Sequence, residues 1–390
     1  MANSKQYDII VFGAGLVGLS TAIALAQLGE QVLLVDAKER THQSMQTWDP
    51  RVYALTPATE DWLMSLGVWS AINQSRVNDV KAMALWPHDA ETALILSAQD
   101  ANLSKIACII ENQNLIQALW QKIDALAIPT QMGVSCQRIY PMNDGIVLDF
   151  DKGRKFSASL LIAADGEHSF VREQLAVATK LKDFKQTALV ANYQAETNHG
   201  HLARQWFSSH ETLALLPLPL QHVSMVWALS TELADQLLSL SNDNLALKVQ
   251  ERTRAVLGKL TPVTDAYTFV LVQQTASKLI ADRVVFLGDA AHKVHPMAGQ
   301  GANLGFRDTM ALQALLANRH PLQDIGDRTF LRQYERARKA DVHTMNGLTS
   351  GLDGLFSIET EWIKRLTSRS MQHLNNHQHI KSILIKQAVA

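Results

Sequence analysis

Three glycines set the terms for the start of the chain. Gly13-Ala14-Gly15-Leu16-Val17-Gly18 lies within residues 9–29, a stretch without a single charged side chain. Such a stretch resembles a secretory leader, and Ala22-Ile23-Ala24 looks like a cleavage site. Asp8 interrupts its entry, however, and the glycines weaken a leader helix. Two periods divide it instead. Residues 7–12 are a short apolar run suited to a buried parallel strand, and residues 16–28 are helix-like and stop at Gly29. Residues 31–35 repeat the strand signal and end in Asp36. The pattern predicts strand, tight turn, helix, strand.

Each glycine then has its own reason. Gly13 permits the turn, Gly15 lets a pyrophosphate approach the backbone, and Gly18 lets the helix lie close to the sheet. The helix N-terminus supplies free N–H groups and partial positive charge to phosphates. Asp36, 18 residues after Gly18, is placed to accept hydrogen bonds from a ribose. Together these features predict a dinucleotide site, and they fit FAD and NAD equally.

Length and charge narrow the class. The 390 residues suit two packed domains, and 47% apolar against 19% charged residues excludes a disordered chain. Lys and Arg number 36 against 37 Asp and Glu, so nothing favours nucleic acid as a partner. Cys108 and Cys136 stand 28 residues apart with no CxxC, which excludes a disulfide framework and fits a reducing, cytoplasmic setting. No other segment approaches the roughly 20 apolar residues of a membrane span. His292 and His295, like His199 and His201, lack the Cys or acidic companions of a metal site, and no GxSxG nucleophile motif occurs.

Two later segments complete the pattern. Residues 160–172 read as an apolar strand, an Asp165-Gly166 turn and the start of a helix carrying Arg172. Residues 283–292 are a second buried strand delivering Gly288 and Asp289 at its C-terminal end, where ligands of open α/β sheets collect. An aspartate there can accept hydrogen bonds from the ribityl chain of a flavin. Gly299-Gln300-Gly301-Ala302-Asn303-Leu304-Gly305 follows and leads into a helical run over 306–316, whose N-terminus suits the negative charge of a reduced flavin ring.

The series GxGxxG, DGxxSxVR and GDAAHxxHPxAGQGxNLG resembles the FAD-dependent aromatic hydroxylases related to para-hydroxybenzoate hydroxylase. Asp49-Pro50-Arg51-Val52-Tyr53-Ala54-Leu55, Ile110-Glu111-Asn112 and Leu215-Leu216-Pro217-Leu218 are similar to its ubiquinone-biosynthesis branch. The resemblance covers essentially the whole chain. It implies that Gly13, Gly15, Gly18 and Asp36 hold the ADP half of FAD, with the Val134 backbone near the adenine. It places Arg51 on the flavin side, Gly288 and Asp289 at the ribityl chain, and Pro296, Gly301, Ala302 and Asn303 around the ring. Asp165, Gly166 and Arg172 belong to a motif associated with FAD and nicotinamide binding. Asn112 joins the set where many relatives have Arg. One departure stands out: Phe269-Val270-Leu271 replaces the branch's Phe-Pro-Leu, so a wall of the active-site chamber is expected to differ.

The resulting fold class is α/β. It has a Rossmann-like FAD-binding domain with a parallel sheet (residues 1–72, 109–177 and 276–335), and an inserted, mostly antiparallel substrate domain (73–108 and 178–275). A C-terminal helical region spans 336–390, with helices over 332–374 and 379–388. The last helix packs on the body or a sister subunit, or rests on a membrane surface. The implied activity is ring hydroxylation of a polyprenylated phenol by O2 added to reduced FAD at its C4a position. No side chain is identifiable as an acid or base. A single GxGxxG leaves no second nucleotide domain, so NAD(P)H or another reductant docks transiently. A soluble aromatic acid as substrate, or a flavin-bearing organiser of a biosynthetic complex, stays open as an alternative.

Overall fold

The computed structural model describes residues 5–41, 46–87, 92–208, 211–294, 301–356 and 377–389. Its first sheet has eight strands, with the central order Ile280–Ala281, Val284–Phe286, Lys155–Ala163, Lys5–Phe12, Val32–Val35, Thr130–Gln131. From Val284–Phe286 to Thr130–Gln131 every neighbour is parallel. The reason is visible in the sequence: Ile9, Ile10, Val11, Leu33, Leu34 and Leu160 to Ala163 are buried without alternation, as a sheet covered on both faces requires. The helices Leu16–Ala26, Asn112–Ala125 and Gly301–Ala317 provide cover. Thr21 and Thr309 share a 2.8 Å hydrogen bond between the first and last of these.

The second sheet has nine strands. Its path runs His292–Lys293, Tyr267–Ala276, Thr179–Ala195, His222–Ser230, Thr212–Pro217, Leu202–Phe207, Ala82–Pro87, Leu94–Ser97. All pairs are antiparallel except Leu202–Phe207 with Ala82–Pro87. Here alternate residues of each strand face the same core. Leu189, Ala191, Tyr193, Leu213, Leu215, Val223, Met225 and Trp227 form one core with residues of the helices Thr231–Leu238 and Asn242–Arg252. The opposite face turns toward the parallel sheet, and the Asn192 amide donates across to the Asp49 carbonyl at 2.9 Å. A small sheet of Val52–Leu55, Ala107–Glu111 and Val77–Val80 bridges the two, packing Ile109 and Val80 on Ala203 and Leu218.

This is the expected α/β architecture: a parallel sheet, an inserted and mostly antiparallel sheet, and C-terminal helices. The differences lie at element ends. The first helix stops at Ala26, and Gly29 turns the chain with φ +91°. The helix expected from 306 begins at Gly301, five residues early, because Gly305 is a packing position inside it and not a loop residue. The expected helix 332–374 starts at Arg328 and is described to Phe356; residues 357–376 lie outside the described residues. The final helix is Gln378–Val389, and it rests on the body, with Ile385 buried against Ala98, Ala101 and Ile106. No described helix is long and apolar enough to cross a membrane.

Candidate active site

The three glycine-bearing motifs meet at the C-terminal ends of the parallel strands. Gly13, at φ +112°, sits so close to the Asp165-Gly166 segment that a Cβ would lie 2.3 Å from the Ala164 carbonyl oxygen. A Cβ on Gly18 would lie 1.8 Å from the Gly13 carbonyl oxygen, so the helix can approach only as glycine. Gly15 differs: nothing lies within 4 Å of where its Cβ would be. It caps the helix with space in front of it, as phosphate access demands. Val17 completes the junction, because Cβ atoms on Gly288 and Gly305 would meet its side chain at 3.0 and 2.5 Å.

The carboxylates divide into two kinds. Asp36 braces the first turn, accepting from the Ala14 N–H at 2.6 Å and the Lys38 N–H at 2.7 Å, while the Val134 N–H donates to its carbonyl. Asp165 braces the second: it accepts from the Ser169 hydroxyl at 2.6 Å and the Val171 N–H at 3.1 Å, and burial raises its carboxyl above the ordinary range. Arg172 ties that turn to the third motif by donating to the Ala290 and Glu167 carbonyls at 2.9 and 2.5 Å. Gly166 holds φ +83° with open space around it.

Asp289 is the other kind. Its side chain is exposed, and among the described residues no group hydrogen-bonds it. Protein nevertheless surrounds it closely enough that burial raises its carboxyl, against the pull of Lys293, His292 and Arg51. Open to solvent yet walled in, it occupies the floor of a crevice. Arg51 is exposed at the rim, its guanidinium 5.5 Å from the Tyr53 ring. Tyr53 donates to Asn112 Oδ1 at 3.3 Å, and burial pushes its hydroxyl up to about 12, so it stays a neutral donor.

Asn303, expected beside the ring, has its side chain held by protein. Its side chain is buried and fully engaged, accepting from the Thr56 N–H and Thr59 hydroxyl and donating to the Ala54 carbonyl at 2.8 Å. It fastens the start of the helix Gly301–Ala317 to the strand beyond Arg51. Gly301 is exposed and Ala302 half-buried at that helix start. Pro296, with residues 295–300, lies outside the described residues.

Sequence reasoning missed the supports behind these groups. Asp308, fully buried, accepts from the Gly288 N–H at 2.8 Å and Arg338 Nε at 2.6 Å, and contacts His292 Nε2 at 2.7 Å. Burial alone would raise its carboxyl; His292, Arg338 and the Gly288 amide outweigh that and hold it below the ordinary range. Glu111, equally buried, takes a bidentate pair from Arg76 at 2.6 Å and accepts from the Asp49 N–H, which fixes the segment leading into Arg51. Asp308 falls seven residues past Gly301, one helical face from the motif. Arg338 and Arg76 have no local signal at all. Both cysteines are buried and free; burial pushes the Cys136 thiol up to about 12 and Cys108 higher still. No described group of residues could hold a metal ion.

The free Asp289 carboxylate, the open approach at Gly15 and the exposed helix start at Gly301 fit an extended flavin dinucleotide. A family model described as an FAD binding domain matches residues 6–346. The chain belongs to the FAD-binding aromatic-ring hydroxylase family. It is 29% identical over 358 residues to ubiquinone hydroxylase UbiL of Rhodospirillum rubrum, covering 90% of this chain and 82% of that one. It is 30% identical over 354 residues to the 3-demethoxyubiquinol 3-hydroxylase of Escherichia coli, covering 90% and 89%. HpxO of Klebsiella pneumoniae, solved with FAD, shares the fold with a TM-score of 0.76 at 18% identity, covering 97% and 99%. The chain is thus an FAD-binding protein of monooxygenase type.

Proposed function

We propose that this family member hydroxylates the aromatic ring of a polyprenylated phenol in ubiquinone biosynthesis, using O2 and electrons from NAD(P)H or another donor. One observation carries the substrate class. Cross-strand partners share a face, and on the face turned toward the crevice Ala188 stands opposite Phe269 and Ala228, and Val190 opposite Tyr267 and Val226. None of these is charged. Arg51, the cation an aromatic acid would use, stands at the rim and not on this wall, whose apolar surface suits a prenylated ring. The relatives named for ubiquinone hydroxylation support the same choice.

Bound FAD, once reduced, supplies the electrons that make O2 reactive toward a ring. The chain's own residues do the rest. Gly13, Gly15 and the helix behind them receive the pyrophosphate, with Asp36 bracing the turn; Asp289 offers a free acceptor to the ribityl hydroxyls. The N-terminus of Gly301–Ala317 would offer N–H groups and partial positive charge to negative charge on the bound ring. Arg51 and Tyr53 stand at the rim, and the apolar sheet face excludes water that would divert the oxygen. The change at Val270 falls on the helix-side face of the sheet, opposite Thr187, so it leaves Phe269 and Leu271 as the crevice-side residues.

The test supplies the purified, flavin-loaded protein with reductant, labelled O2 and a polyprenylated phenol. One labelled oxygen atom should enter the ring. Product without label sinks the monooxygenase reading even where FAD binding holds.

A further inference from the structure

The path through the parallel sheet ends in two-residue strands, Ile280–Ala281 and Thr130–Gln131, and Cys136–Pro141 carries Arg138 and closes on a proline. Leu94–Ser97, at one end of the antiparallel sheet, is met by Gln378–Val389, whose Lys381 donates to the Ile95 carbonyl at 3.3 Å. Short strands, charges, proline and cover are the ordinary means of keeping an edge from pairing. Tyr267–Ala276, near the other end, has none of these devices over residues 267–272.

Its inner side pairs with Thr179–Ala195, while its outer side meets His292–Lys293 only at Gln274 and Thr275. The Ala276 N–H donates outward to the Ala291 carbonyl at 2.8 Å. Alternation along an antiparallel strand then turns the N–H and C=O of Thr268, Val270 and Val272 outward as well. The Asn192 backbone, bonded to Val263 and Thr264 on the side of Tyr267–Ala276, gives the same parity through the register. Among the described residues nothing bonds these outward groups. Tyr267, Phe269 and Val270 are 56%, 43% and 54% exposed, and residues 266–276 contain no charge and no proline. Val270, where the chain departs from Phe-Pro-Leu, thus offers a donor that a proline would lack.

A row of outward donors and acceptors is complementary to another extended chain. A second copy supplies one of matching length, and an uncharged strand can face itself across a two-fold axis without like-charge repulsion. We propose that Tyr267–Ala276 pairs antiparallel with the same strand of a second copy, about an axis through Val270. Val270 then stands opposite its own counterpart and Thr268 opposite Val272, each pair exchanging N–H···O bonds. Such an axis is perpendicular to the sheet, so the crevice sides of both copies stay on one side. The exposed Tyr267 and Phe269 rings of the two copies become one apolar surface between the crevices. The proposal is independent of the reaction assigned above.

Sedimentation of the full-length, flavin-loaded protein, over a concentration series up to about 100 μM, reads the mass, and hydrogen exchange reads the peptide over 267–276. The parent should be a dimer whose strand amides are protected and lose that protection on dilution. Val270→Pro should raise the dissociation constant at least about tenfold, since it removes one bond from each copy at the axis. Val270→Lys should weaken the dimer likewise by setting two cations face to face. It keeps the backbone donor, and with flavin content unchanged it decides the matter even where the proline variant loses its flavin. A parent that stays monomeric throughout the series overturns the proposal, as does a dimer that survives both substitutions.

Discussion

In the parallel sheet, both faces are covered and the ligand end is built from backbone: glycines at contact distance, N–H groups, and carboxylates that brace turns. In the antiparallel sheet, one face lies on two helices and the other is left as side-chain wall. The first arrangement tolerates almost no variation, since a Cβ on Gly18 has nowhere to go. The second tolerates more where it is open, since the exposed Phe269 can change size without breaking a hydrogen bond. Cofactor recognition belongs to the part that cannot vary, and substrate choice to the part that can.

Asp308→Ala should strike the rigid side hardest. It strands the buried Arg338 and His292 and frees the Gly288 amide, costing about 3–5 kcal/mol. Thermal unfolding of the apoprotein reads that loss, and flavin retention should fall with it. An unchanged midpoint would mean that the network is ornamental and that the contrast between the sheets is overstated.

Asp289→Ala should be the opposite case on the same sheet. FAD affinity should drop by about 10- to 100-fold, the worth of hydrogen bonds to a charged acceptor, while the apoprotein gains stability at neutral pH. The sign follows from the raised carboxyl. In the folded state it takes up a proton more readily than in the unfolded state, so ionisation destabilises the fold. That penalty is absent at low pH, grows between the ordinary and the raised carboxylate values, and is complete above the latter. Melting curves of apoprotein across mild acid to neutral pH should therefore converge for parent and variant at the acid end. Divergence there would show that Asp289 is structural.

Phe269→Ala, on the variable wall, should have the smallest effect. Loss of part of one aromatic contact, about 1 kcal/mol, should raise KM for the prenylated phenol roughly fivefold and leave FAD affinity and melting untouched. A matching fall in flavin content would erase the division of labour.

The same division explains what could be read in advance. Glycine spacing, terminal aspartates and apolar runs are local, so the path from Gly13 to Asp36, the Asp165 turn and the strand ending at Asp289 were legible. The roles of Asp36 and Asp165 within the turn were not, because a carboxylate that braces its own backbone and one that faces a ligand occupy the same motif position. Asn303 illustrates this most clearly: its motif position says nothing of the bonds its side chain makes to the Ala54 carbonyl, the Thr56 N–H and the Thr59 hydroxyl. Asp308 with Arg338, and Glu111 with Arg76, depend on contacts 30 and 35 residues apart, for which no periodicity exists. The helix start at Gly301 was obscured because glycine reads as a breaker until its neighbour, here Val17, is known.

The seating of Val17 against Gly288 and Gly305 reaches further than packing. One side chain from the opening helix touches two stretches that come nearly three hundred residues later, so none of the three can loosen by itself. An empty site would accordingly remain assembled, waiting for its dinucleotide as a preformed mould.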